Sequence, residues 1–140
     1  MKQNHTRAII FRILTILYVV AVAWLCFANL SKAPQMPRTL FGLPIDKVVH
    51  FLMFFPFPIL AFLAYDVFTD NLWKSLLFCL ATFLFGVLIA AGTEYGQSFL
   101  PYRSGDRHDL QADVLALSIS AFIVLVIDIL KQLVKPRKHA

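Results

Sequence analysis

Four long apolar runs leave this chain few folds. They lie at about residues 9–28, 48–65, 73–99 and 112–130. A helix needs about 20 residues, at 1.5 Å each, to cross a hydrocarbon core. In lipid every backbone polar group must be satisfied within the protein, and runs of this length do so as helices. The expectation is an all-α integral membrane protein, one four-helix transmembrane domain over residues 1–140. Composition agrees: 59% of the 140 residues are hydrophobic and 15% charged, more apolar surface than a water-soluble domain of this size hides.

The runs differ in detail. The second carries Pro56 and Pro58 in "FFPFP". Each proline removes a backbone donor, so this helix is expected to kink. The third is long enough to tilt. The first has a basic start and "ANLSKA" behind it, as a cleaved signal would. Its apolar part is longer than a usual signal core, so an uncleaved helix is expected.

Orientation follows from the basic residues. With both termini cytoplasmic, Lys2, Arg7, Arg12, Lys74, Lys131, Lys135, Arg137 and Lys138 face inward, against Lys32, Arg38, Lys47, Arg103 and Arg107 outward. That bias favours both ends inside. The net charge of +5 is thus assigned to orientation and to anionic headgroups. No RNA-recognition, zinc-finger or helix-turn-helix pattern supports a nucleic-acid partner; membrane lipids are the expected partners. Cys26 and Cys79 fall toward opposite ends of their helices, too far apart for a disulfide.

Half of the eight acidic residues lie between 93 and 113. In this topology Asp46, His50, Glu94, Asp106, His108, Asp109 and Asp113 gather at the outer face. Asp46 and His50 are four apart, Glu94 and Gln97 three, Asp109 and Asp113 four; each pair shares a helix face. Glu94 should lie about 9 Å inside its helix end if that helix runs to Leu100. A charge at membrane depth costs about 2.5–3.5 kcal/mol and usually faces the protein interior or a wet cavity. A structural Glu bonded to a neighbouring helix is the plainer alternative. Asp46 and Asp109 read singly as N-caps, and Asp113 as a first-turn acid. Asp106, His108, Asp109 and Asp113 have a spacing that could hold a divalent cation, but Gly105 interrupts the helix and no metal is expected. The sequence leaves the cofactor unknown, and no nucleophile elbow, zinc-hydrolase, Walker or C-x-x-C motif is present.

"DKVVHF" at 46–51 and "EYGQSFLPYRSGDRHDL" at 94–110 resemble the signature of VanZ-like membrane proteins. The matching positions are Asp46, Lys47, His50, Phe51, Glu94, Gln97, Pro101, Arg103, Asp106 and Asp109. The resemblance runs from about Asp46 to about Val126. Asp113 departs from it where members commonly carry Asn, and Ala116 where Gly is common. The resemblance implies a bacterial cytoplasmic membrane and a cell-envelope role, since the name-giving member is associated with low-level resistance to teicoplanin.

Two functions fit the residues. One is an enzyme acting on a lipid-linked envelope molecule at the outer face. His50 and Glu94 would be its acid–base groups, Arg103 would clamp a phosphate or carboxylate, and Gln97 would orient the substrate. Asp46, Asp106, Asp109 and Asp113 would complete the substrate-binding set. The other is a protein that binds a cell-wall precursor or lipoglycopeptide without chemistry. A small proton-coupled transporter is a further alternative.

Overall fold

The computed structural model describes residues 5–29, 39–40, 42–65, 71–103 and 105–134. Lys2, Lys32, Arg38, Lys135, Arg137 and Lys138, which entered the orientation reading, lie outside these residues. The described chain is mostly helical. It comprises α1 (His5–Phe27), a two-strand antiparallel ribbon of β1 (Thr39–Leu40) and β2 (Leu43–Pro44), then α2 (Ile45–Phe54), α3 (Pro56–Tyr65), α4 (Leu72–Gln97) and α5 (Arg107–Val134). Gly42, between the strands, has a φ of 81°, a conformation that costs glycine little. The ribbon was not foreseen in an all-α reading.

Four helical stretches are long and apolar enough to cross a membrane: Thr6–Phe27, Ile45–Tyr65, Leu72–Gln97 and Arg107–Val134. The second is α2 and α3 together. Its interruption falls at Phe55, whose backbone stays right-handed and whose N–H still reaches Phe51 O at 3.0 Å. Pro56 and Pro58 therefore sit in the first turn of α3, where backbone N–H groups have no intrahelical acceptor.

Successive spans alternate in direction. Gln97 Nε2 donates to Cys26 O at 2.7 Å, and Lys47 meets Asp106 and Asp109 at the same end. At the other end Arg12 Nε donates to Ala64 O at 3.2 Å, and Ser75 Oγ donates to Asp128 at 2.5 Å. The first is here called the site end, the second the far end. Both α1 and α5 have their outer termini at the far end.

The packing runs opposite to that of a water-soluble bundle. Trp24, Leu84, Leu88, Phe122 and Leu133 point outward, while His50, Ser75, Gln97, Asp109, Asp113 and Asp128 are buried. Small residues set the helix spacing. A Cβ on Gly86 would lie 2.6 Å from a methyl of Leu117, and one on Gly96 would lie 2.8 Å from the Phe27 ring. Ala116, where the resemblance favours Gly, is wholly buried in the same core as Leu117 and Ala90, and a close helix approach occurs at Gly86. Cys26 and Cys79 are buried free thiols.

Candidate functional site

The site end is built from α2 meeting α5. Lys47 and His50 are three apart on α2; Asp109 and Asp113 are four apart on α5. Each pair forms a ridge, and the ridges face each other. His50, Asp109 and Asp113 are only 5%, 5% and 1% exposed. His50 Nδ1 lies 3.1 and 3.3 Å from the two Asp113 oxygens, and its Nε2 lies 3.6 Å from Asp109 Oδ2. The first is hydrogen-bonding distance; the second is not. Lys47 Nζ donates to Asp109 Oδ1 and to Asp106 Oδ2, the latter at 2.5 Å, and stands 3.7 Å from Asp46. The ring is thus steered by Asp113, while Lys47 draws three carboxylates around one ammonium.

The helix starts correct the expected capping roles. α5 begins at Arg107, not near Ala112. Asp106 takes the position before it and accepts the His108 N–H at 2.9 Å. Asp109 is therefore no cap: it lies inside the first turn, where one oxygen accepts from Lys47 and the other stands 3.6 Å from His50 Nε2. Asp113 lies a turn deeper than a first-turn acid. Likewise α2 begins at Ile45 behind Pro44, with no side-chain cap, and Asp46 is within its first turn. The Lys47 ammonium first, and the His108 N–H next, hold the Asp106 carboxyl below the usual carboxylate range.

A cavity of about 240 Å³ opens beside this network. His50, Asp46, Gln97, Arg103, Cys26 and Met53 are among its lining residues. The structure thereby gathers Asp46, His50, Gln97 and Arg103 at one wall. Gln97 is already bonded to Cys26 O, so it ties α4 to α1 as it borders the cavity. Arg103 Nη2 donates to Leu25 O at 3.3 Å, which uses part of a five-donor fork.

Glu94 has a different place. α4 stops at Gln97, so Glu94 is in the last turn and not a deep residue. It is half-buried, does not line the cavity, and its Oε1 accepts the Asp106 N–H. A Cβ at Gly105 would sit 3.4 Å from that same Oε1. Glu94 fastens the chain that carries Asp106, and so acts on the network through the backbone.

For a metal, the spacing argument named Asp106, His108, Asp109 and Asp113. His108 is exposed and turned to Gln111, 3.1 Å away. The group whose ligand atoms converge, all within 4.8 Å of one another, is Asp46, His50 and Asp109. Such N/O donors suit a divalent ion, yet Lys47 Nζ already supplies positive charge to two of these three.

One participant, and one neighbour that bonds the backbone of the cavity-lining Met53, escaped the sequence reading. Lys47 was legible as the other half of an i,i+3 pair facing an i,i+4 acidic pair. Tyr18, whose hydroxyl donates to Met53 O, carried no signal: it is one aromatic in an apolar run.

Comparison with known proteins adds one likeness. No known protein family matches the chain, and no solved structure does. It is 34% identical over 110 residues to a fission-yeast (Schizosaccharomyces pombe) protein described as uncharacterized, over 77% of this chain and 61% of that protein. The chain spans about three fifths of the length of this curated relative.

Proposed function

We propose a multi-pass membrane protein that acts on a lipid-linked molecule through His50, at a cavity facing the outer leaflet. The observation that carries this reading is the Asp113–His50 pair at the wall of a cavity that also holds Arg103. A carboxylate on Nδ1 fixes tautomer and ring orientation and leaves Nε2 as the proton-transfer atom. Arg103 supplies a planar fork for a phosphate or carboxylate. Glu94 holds the Asp106 backbone in place rather than meeting substrate. In this reading both termini are cytoplasmic, and the exposed apolar surface of all four spans faces lipid. A VanZ-like identity, a bacterial cytoplasmic membrane and an effect on teicoplanin susceptibility are proposed on the sequence resemblance; the yeast likeness carries no activity with it.

Mass spectrometry of lipids held by the purified protein, before and after incubation, tests the reaction. New product formed by the wild type and absent with Arg103→Lys supports it, because Lys cannot make the bidentate contact. Unchanged lipid in both favours a second reading, binding without chemistry. That reading has its own support: both His50 nitrogens face carboxylates, as in a purely structural ion network. For topology, an impermeant maleimide added to intact cells should label Phe99→Cys and spare Leu72→Cys; the reverse pattern inverts the protein in its membrane.

A further inference from the structure

Three voids border α1 in turn, the first separated from the second by packed side chains. The first is the cavity at His50, bordered by Leu25 and Cys26. Next is a narrow void of about 10 Å³ behind Val22 and Phe54. The third is an apolar groove of about 590 Å³ between α1, α3 and α4. Val19 and Phe57 line both the second and the third. Cys26, Val22 and Val19 are spaced four and three apart, so one face of α1 borders the whole path.

The groove exists because α1 is held against α4 at the site end, by Phe27 on Gly96 and Gln97 on Cys26. Farther along, small Ala81 and Thr82 of α4 face α1 and leave the space. Measured on α1, the path from Leu25 to Thr15 is about 15 Å; measured on α4, from Gln97 to Ala81, it is about 24 Å. Both end inside a hydrocarbon core about 30 Å thick, as a tail anchored by its head at one surface must. At the mouth stands Arg103, with donors beyond the one used on Leu25 O.

We infer that the protein seats a membrane phospholipid, phosphate at Arg103 beside His50 and one acyl chain in the groove between α1, α3 and α4. This rests on the lipid reading above and names the substrate class for it. The constriction on the path is Tyr18, whose hydroxyl reaches Met53 O. A chain entering the groove from the cavity displaces that side chain.

The test is photocrosslinking in phosphatidylcholine vesicles doped with a phospholipid that carries a diazirine midway along one chain. Peptide mapping should concentrate adducts at Ile16, Val20 and Ala81 over the equally outward Leu88, Phe122 and Leu133. Ala81 is exposed, so Ala81→Phe fills the groove without entering the core and should cut groove adducts severalfold. Val20→Trp, on α1, should do the same independently. Arg103→Gln should reduce adducts along the groove as well. Adducts spread evenly over all outward apolar faces, or unmoved by both filling variants, overturn the seat. The two readings separate cleanly. Even labelling with His50-dependent turnover leaves the chemistry standing and removes the tail seat; groove-specific labelling with no product leaves the seat and removes the chemistry.

Discussion

The bundle has a buried polar cluster at each end, and they are built differently. At the site end, α2 and α5 bring together two basic side chains and several carboxylates, and the network borders a cavity of about 240 Å³. At the far end, α4 and α5 meet through Ser75, Asp128 and Gln132: Ser75 Oγ donates to Asp128 Oδ2 at 2.5 Å, and Gln132 Nε2 donates to Ser75 Oγ at 2.8 Å. Ser75 and Asp128 are almost wholly buried, and neither lines any cavity described above. A carboxylate is thus buried at both ends, so burial alone does not distinguish the site end. What separates the two ends is the cavity beside the site end, together with a histidine that borders it while Asp113 holds its Nδ1.

The sharpest way to break the comparison is to disable each end in turn. His50→Ala should lower lipid turnover by about 10²–10⁴-fold, the usual contribution of a positioned acid–base group. Asp128→Ala should leave turnover per folded molecule unchanged and cost about 1–3 kcal/mol of stability, as a buried hydrogen bond is broken. Loss of turnover in well-folded Asp128→Ala would erase the distinction. Next in size, Asp113→Leu should reduce turnover by roughly 10–100-fold, as when a carboxylate that orients a histidine is removed. Asp113→Asn should keep most of it, since an amide oxygen can still accept from Nδ1–H. A pH–rate profile that shifts in Asp113→Leu, and not merely shrinks, marks a role in positioning His50.

Asp109→Asn sharpens the site end itself. It removes one charged partner of Lys47 and should cost about 1.5–3 kcal/mol, read as a lower melting temperature in detergent, along with reduced activity. Full activity and stability would return Asp109 to a dispensable helix-start residue. The smallest expected effect is on pH. The native Asp106 carboxyl is held below its usual range by Lys47 and the His108 N–H. Its contribution is present above the unfolded pKa and is lost as pH falls through the lower native one. Acid titration should therefore loosen the 98–106 segment, seen as faster amide exchange, at lower pH in the wild type than in Lys47→Gln.

Much of the fold was legible because membrane spans announce themselves by length and by absence of charge. All four came through, with ends displaced. The displacements mattered most at the site. Reading α5 from the first apolar residue placed its start near Ala112 and made Asp109 a cap; its true first turn is polar, because Arg107 and His108 face outward while Asp109 turns in. Reading α4 to Leu100 made Glu94 deep, whereas the helix stops at Gln97. Apolar periodicity says where a helix meets lipid or core, and a polar turn beyond that carries no such mark. Within a helix, i,i+4 spacing put Asp46 with His50 at the cavity and Asp109 with Asp113 toward α2, whereas Gln97 borders the cavity and Glu94 does not. Which faces would meet across 60 residues of sequence was not written locally, and Lys47 was overlooked as a site residue for that reason. The far-end cluster was missed because Ser75 and Gln132 are ordinary helix residues until Asp128 stands beside them.

The pairing of α2 with α5 also sets an order of assembly. Lys47 and His50 are made with α2, while Asp109 and Asp113 follow 62 and 63 residues later on α5. Until α5 is made, Asp46 is the one acid on α2, so Lys47 and His50 lack the carboxylates they meet in the folded bundle. Docking of α5 supplies Asp109 to Lys47 and Asp113 to His50 together. A chain that stops short of Arg107 is thus left with Lys47 and His50 lacking these partners, so the site end is complete only when the last helix is in place.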